Sequence, residues 1–165
     1  MKVISMEAAE FDSYARGMFD ILAENMRKIA PTGEDPEEDR RIWLEAMEEL
    51  LQQEGRRIVL ALVDEQLVGY FQYRLHSDIF HMEEFQIRQE FQGKNGIFRA
   101  IYGFVLPQLK PAPKYAEAYA NKVNEKSLGI LKRLGLEIAG ENKSGRSWLL
   151  RGRFENLLKW YEIEM

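Results

Sequence analysis

Two adjacent carboxylates, Glu83 and Glu84, lie inside the apolar run Ile79 to Ile87, and His81 stands two residues before the first of them. A carboxylate on a half-buried strand has its charged form disfavoured, which raises its pKa and suits it to accept a proton. Strand alternation sends one carboxylate to each face, so only one meets a given substrate, and Glu84 is the preferred base. His81 shares a face with Glu83 and is an alternative base. The same residues also fit a plainer role, as solvated strand charges paired with Arg74 on the neighbouring strand.

The segment that follows, Ile87 to Phe98, reads Ile-Arg-Gln-Glu-Phe-Gln-Gly-Lys-Asn-Gly-Ile-Phe. An extended stretch runs into a short glycine-bearing loop and then a helix start. Amides in the first turn of a helix have no intrahelical acceptor, and the helix dipole adds partial positive charge, so a phosphate or pyrophosphate is the natural ligand. An ordinary strand-to-helix turn would also use Gly93 and Gly96.

The elements that must position these residues are visible in the periodicity. After a short extended start at Lys2 to Met6, apolar residues from Phe11 to Met26 recur at three and four, predicting a helix over about 7 to 29. The acidic breaker cluster Pro31 to Pro36 separates it from a second helix that starts near Glu37 and is closed by Gly55. From Arg57 the period shortens. Ile58 to Val63, Leu67 to Leu75 and Ile79 to Ile87 read as a three-strand antiparallel meander. Ile97 to Leu109 is helical, Tyr115 to Ala120 a strand, and Asn124 to Leu134 a helix with Gly135 as its cap. Leu136 to Ala139 and Trp148 to Arg151 are strands, and Phe154 to Tyr161 a last helical turn or two. Helices after the fourth and fifth strands imply a right-handed crossover and a locally parallel pair in one mixed sheet.

Composition narrows the chemistry. The chain of 165 residues has the length of one domain, 1–165, with 45% apolar and 30% charged residues. It has no cysteine, which removes disulfides, thiolate metal sites and acyl-cysteine intermediates. With only His76 and His81, no helical His-x-x-x-His pair can start a metal site, so no metal is expected. A net charge of −4 argues against nucleic acid as partner. No run approaches membrane-span length and the N-terminus has no signal-peptide core, so a cytoplasmic protein is expected.

Two blocks carry a resemblance. Gln92-Gly93-Lys94-Asn95-Gly96 follows the fourth strand, and Asn124 to Leu136, including Ser127, follows the fifth. Over almost the whole chain this succession resembles the GNAT superfamily of acyl-CoA-dependent N-acyltransferases. The resemblance implies an α/β fold, an α+β mixed sheet of about seven strands with four helices. In that family the fourth strand ends in an aliphatic residue, here Ile87. A loop Gln/Arg-x-x-Gly-x-Gly/Ala then receives the pyrophosphate of coenzyme A, with Gln92 at the first place. This chain departs from the pattern, with Asn95 and Ile97 at the two small-residue places and Gly96 between them. A β-branched Ile97 crowds a pyrophosphate unless Gly96 makes the close approach. Main-chain N–H groups around residues 93 to 98, that of Phe98 included, would receive the diphosphate.

By the same resemblance a fourth-strand amide near Phe85 or Ile87 contacts the thioester carbonyl, in a splayed gap between the fourth and fifth strands that admits the pantetheine. Asn124 helps hold the pantetheine side, or simply caps its helix. Leu131 stands where many members carry the Tyr that protonates the leaving thiolate. Tyr70, Tyr73, Tyr115 and Tyr119 line the cleft or pack as strand aromatics, and the acidic segment Glu34 to Asp39 lies where the family builds its acceptor site. The implied function is transfer of an acetyl or short acyl group from acetyl-CoA to a primary amine. The alternatives are a non-catalytic CoA-binding module, motivated by Ile97 and Leu131, and an interaction domain that dimerises.

Overall fold

The computed structural model describes residues 1–27, 32–33, 35–93 and 96–163. Among them it has seven strands and five α-helices: β1 (Lys2–Ser5), α1 (Phe11–Met26), α2 (Pro36–Leu50), β2 (Arg56–Val63), β3 (Gln66–His76), β4 (Ile79–Ile87), α3 (Ile97–Val105), β5 (Tyr115–Asn121), α4 (Glu125–Arg133), β6 (Glu137–Glu141), β7 (Ser147–Arg153) and α5 (Glu155–Ile163). The strands form one mixed sheet in the order β1-β2-β3-β4-β5-β7-β6. The fold class is the expected one, with one helix more than expected. The first helix is shorter than its pattern, because Ala8–Glu10 form a 3-10 turn closed by a capping box between Glu7 and Glu10.

Contacts group the chain into two compact units, one of Met1–Gln72 with Glu84–Ile101 and one of Tyr73–Glu83 with Tyr102–Met165. In the first, β1 pairs antiparallel with β2 from Lys2↔Leu62 to Ser5↔Val59. Phe11, Ala15, Met18 and Ile21 of α1, spaced as one helical face requires, pack with Ile58, Leu60, Leu67, Tyr70 and Met47. Trp43 of α2 closes this cluster, its ring centroid 5.8 Å from Phe11 and 5.6 Å from Phe19. The acidic residues Glu37, Glu38 and Asp39 form the first turn of α2, where negative charge is favourable to the helix dipole. Glu34 lies outside the described residues.

In the second unit, β4 and β5 run parallel from Ile79↔Tyr115 to Met82↔Ala118, as the helical crossover requires. Alternate residues of β5 divide the work: Ala116, Ala118 and Ala120 are buried, whereas Tyr115 and Tyr119 are exposed. β7 lies between β5 and β6, antiparallel to both. Side-chain character accounts for this order. The Leu149-Leu150 pair suits an interior strand, whereas β6 begins and ends on glutamate and leaves Ile138 exposed, as an edge strand does.

Candidate functional site

In the first unit the end of β4 is held by a side-chain clamp. Asn25 near the end of α1 donates through Nδ2 to the Ile87 carbonyl at 2.9 Å and to Gln86 Oε1 at 2.9 Å. Gln92 donates through Nε2 to the same carbonyl at 2.9 Å and to Asn25 Oδ1 at 3.2 Å. Gln92 thereby fixes where the glycine loop leaves the strand. Nothing local in the sequence marks Asn25, because its partners are about sixty residues away. Replacing Asn25 by Ala is expected to cost about 1 kcal/mol, since Gln86 Oε1 and one Gln92 N–H lose their partner while the Ile87 carbonyl keeps Gln92. Denaturant unfolding measures the loss.

Beyond the clamp, Gly93 has φ +73° and Gly96 φ +66°, the left-handed region that glycine enters without strain. A Cβ built at either position meets nothing within 4 Å among the described residues. Lys94 and Asn95 lie outside the described residues. The α3 hydrogen-bond ladder starts with Ala100 N–H donating to the Gly96 carbonyl at 2.9 Å, so Gly96 immediately precedes the first helical turn. Ile97 is 1% exposed. Its branched side chain therefore goes into the core, and the open side of the turn belongs to Gly96. Phe98 packs on Phe85, centroids 4.8 Å apart, and Phe85 stacks on Phe71 at 4.9 Å, fixing the helix start against β4.

Also in this unit, Glu84 is partly buried and accepts a hydrogen bond from the phenol of Tyr70, which is fully buried. Burial and the neighbouring carboxylate push the Tyr70 pKa well above its usual value, so the phenol stays protonated and orients the carboxylate. Tyr73, like Tyr70, is a packing residue, its ring 5.3 Å from Phe80 in the second unit.

The second unit carries an unforeseen row of charge. His81 Nε2 lies 3.1 Å from Glu83 Oε2, and His81 Nδ1 2.9 Å from Glu117 Oε2. The other Glu117 oxygen accepts from Arg151, Nη2 at 2.7 Å and Nε at 3.1 Å. The Tyr119 ring stands edge-on to His81 at 5.9 Å. Burial opposes the charge on His81, but the pairs with Glu83 and Glu117 outweigh it and raise its pKa above 6.5. Burial likewise works against ionisation of Glu117, but Arg151 and His81 outweigh it and lower its pKa.

A raised histidine pKa contributes stability that is complete below about pH 6.5 and is lost as pH rises through the folded value. The protein is therefore expected to melt at a lower temperature as pH is raised through that range, and His81→Gln to flatten the dependence. A thermal melt series over pH, on both chains, measures it.

Asn124 caps α4, its Oδ1 accepting from Ser127 N–H at 3.1 Å. Leu131 is buried in the same unit, at 8% exposure, so no phenol or other acid occupies its place. Among the described residues no group of three or more His, Cys, Asp or Glu is placed to hold a metal, and no helix is long and apolar enough to cross a membrane.

This order of strands and helices, with its parallel fourth and fifth strands, defines the fold of the GNAT N-acetyltransferases. Among solved structures it is similar to the PaiA N-acetyltransferase of Thermoplasma acidophilum in complex with coenzyme A, at TM-score 0.74 and 11% identity over 93% of this chain and 99% of that one. It is also similar to the ribosomal-protein-S18-alanine N-acetyltransferase of Escherichia coli, at TM-score 0.62 and 12% identity over 93% of each chain. An aminoglycoside 6'-acetyltransferase type Ii gives TM-score 0.68 and 15% identity over 93% and 97%. No family model and no curated protein matches the sequence.

Proposed function

We propose that the protein is an acyl-CoA-dependent N-acyltransferase that moves an acetyl or other short acyl group directly to a primary amine. The observation that carries this reading is the turn at Gly93 and Gly96. Both glycines take left-handed φ, both face open space, and Gly96 leads straight into a helix whose Ile97 side chain is turned into the core. First-turn amides of such a helix, with the dipole behind them, suit a diphosphate. The side-chain crowding that Ile97 threatens is avoided by its burial.

In this proposal Gly93, Gly96, Ile97 and Phe98 hold the pyrophosphate through their backbone, with Lys94 adding a cation and Asn95 completing the loop. Phe85 and Ile87 present the strand backbone to the thioester, Gln92 keeps the loop closed, and Asn124 with Ser127 serves the pantetheine side. Bound acyl-CoA supplies the activated acyl group. The chain itself has to hold an ammonium and take a proton from it, because only the free amine attacks. Glu84, oriented by Tyr70, and Glu83, oriented by His81, are the carboxylates offered for these tasks. Leu131 offers no acid to the departing thiolate, so water protonates it. The protein works where acyl-CoA is available, in the cytoplasm.

Buried Leu131 also favours a second reading, a CoA-binding module without turnover. Acetyl-CoA should raise the melting temperature under both readings. A panel of an aminoglycoside, a polyamine, a free amino acid and a peptide with a free N-terminus, read by released thiol, separates them. Thiol release with at least one amine supports the transferase; a thermal shift without release supports the module; neither response discards both.

A further inference from the structure

His81, Glu117 and Arg151 are direct partners across three adjacent strands, since the β4–β5 register places His81 opposite Glu117 and the β5–β7 register places Glu117 opposite Arg151. Such a row is more than a surface ion pair. The Glu117 side chain is only 12% exposed and the His81 side chain 19%, whereas Glu83 at the head of the row is 34% exposed. The accessible carboxylate is thus joined through the imidazole to a nearly buried one, which Arg151 pins by two N–H groups to a single oxygen.

We propose that Glu83, His81 and Glu117 form a proton relay for the amine acceptor, in which Glu83 takes the proton, His81 stores it, and Glu117, fixed by Arg151, is the positioning residue that sets the imidazole tautomer and steadies the imidazolium. This rests on the transferase reading above and names the proton acceptor for it. The amine nitrogen gains the bond to the acyl carbon that sulfur gives up, and water protonates the departing thiolate. The nitrogen's proton passes to a Glu83 oxygen, and Glu83 returns to carboxylate by passing a proton to His81 Nε2. For Nε2 to accept, Nδ1 must carry the other hydrogen, and Glu117 Oε2 at 2.9 Å holds it there.

The charged groups around the imidazole fix the sign of each perturbation. Glu83 on its own strand and Glu117 on β5 favour the imidazolium. Arg151 on β7 opposes it, and β6 places Glu137 opposite Arg151. Arg74 of β3 lies three residues before the Ser77–Asp78 turn, as His81 lies three after it, and its Nε is buried without a hydrogen-bond partner among the described residues. The hydroxyl-bearing Tyr119 contacts the ring edge. Removing Glu117 therefore lowers the His81 pKa, and removing Arg151 raises it.

The test uses acetyl-CoA with whichever panel amine releases thiol fastest, and follows the kcat–pH profile of the full chain alongside the NMR titration of His81. In the unmodified protein the acid limb of kcat should coincide with the His81 titration. In Glu117→Gln both should move to lower pH, and in Arg151→Met both to higher pH, with KM for acetyl-CoA unchanged. His81→Gln should lose that limb. A limb that stays in place while the NMR titration moves, or that disappears in Glu84→Gln instead, overturns the relay and leaves the transferase standing. No thiol release from any amine removes the transferase reading and the relay with it.

Discussion

Gly135→Ala is expected to lower stability by about 3 kcal/mol or more, dropping the melting temperature by roughly 6–12 °C for a chain of this length. Gly135 ends α4 at φ +90°, a conformation that a side chain enters only under strain. Space is the larger problem. A Cβ there would stand 2.6 Å from the Cβ of Asn156 on α5, whose amide donates to the Gly135 carbonyl at 3.0 Å. That carbonyl in turn lies 2.5 Å from where a Cβ on Gly152 of β7 would be, so the helix end cannot retreat in that direction. Leu134 and Leu136, flanking the glycine, are each 1% exposed and would have to shift with it. Denaturant unfolding reads the change; a loss below about 0.5 kcal/mol would show that the helix end relaxes freely.

Gly96→Val should act on ligand rather than on fold. Its Cβ would meet open space, so no core contact is disturbed, and the cost to stability is confined to forcing a β-branched residue to φ +66°. The same side chain would stand where the proposed diphosphate site meets the first turn of α3. Affinity for coenzyme A is expected to fall at least tenfold, about 1.4 kcal/mol, with affinity for pantetheine, which lacks the diphosphate, unaltered. Calorimetric titration with both ligands makes the comparison. Equal loss for the two would place the effect in the general fold.

Much of the architecture was legible because the hydrophobic period changes from helical to strand-like near Arg57 and back near Ile97, and β4 falls on its expected residues, Ile79–Ile87. Local pattern could not reveal the sheet order at the far edge. The turn between β6 and β7 announces a hairpin, but that β7 rather than β6 joins β5 depends on which strand is apolar enough for the interior. The clamp of Asn25 on Ile87 and the pairing of Glu117 with His81 and Arg151 were hidden for the same reason: each joins residues more than thirty positions apart.

Local packing and hydrogen bonds add to what residue type alone says at three places. Ile97, an obstacle by its type and place, is a core residue, and the open turn beside it is glycine. Glu37 to Asp39, at the expected start of the second helix, form the first turn of α2, where their charge has a structural use. Asn124 is a helix cap by direct hydrogen bond, a role that leaves its other contacts free for a ligand.

The most direct measurement follows backbone amide resonances while coenzyme A, and separately pantetheine, is added to the protein. The amides of Gly93, Gly96, Ile97 and Phe98 should shift with coenzyme A and stay in place with pantetheine. Shifts that leave these four unmoved while coenzyme A binds elsewhere would contradict the proposed diphosphate site.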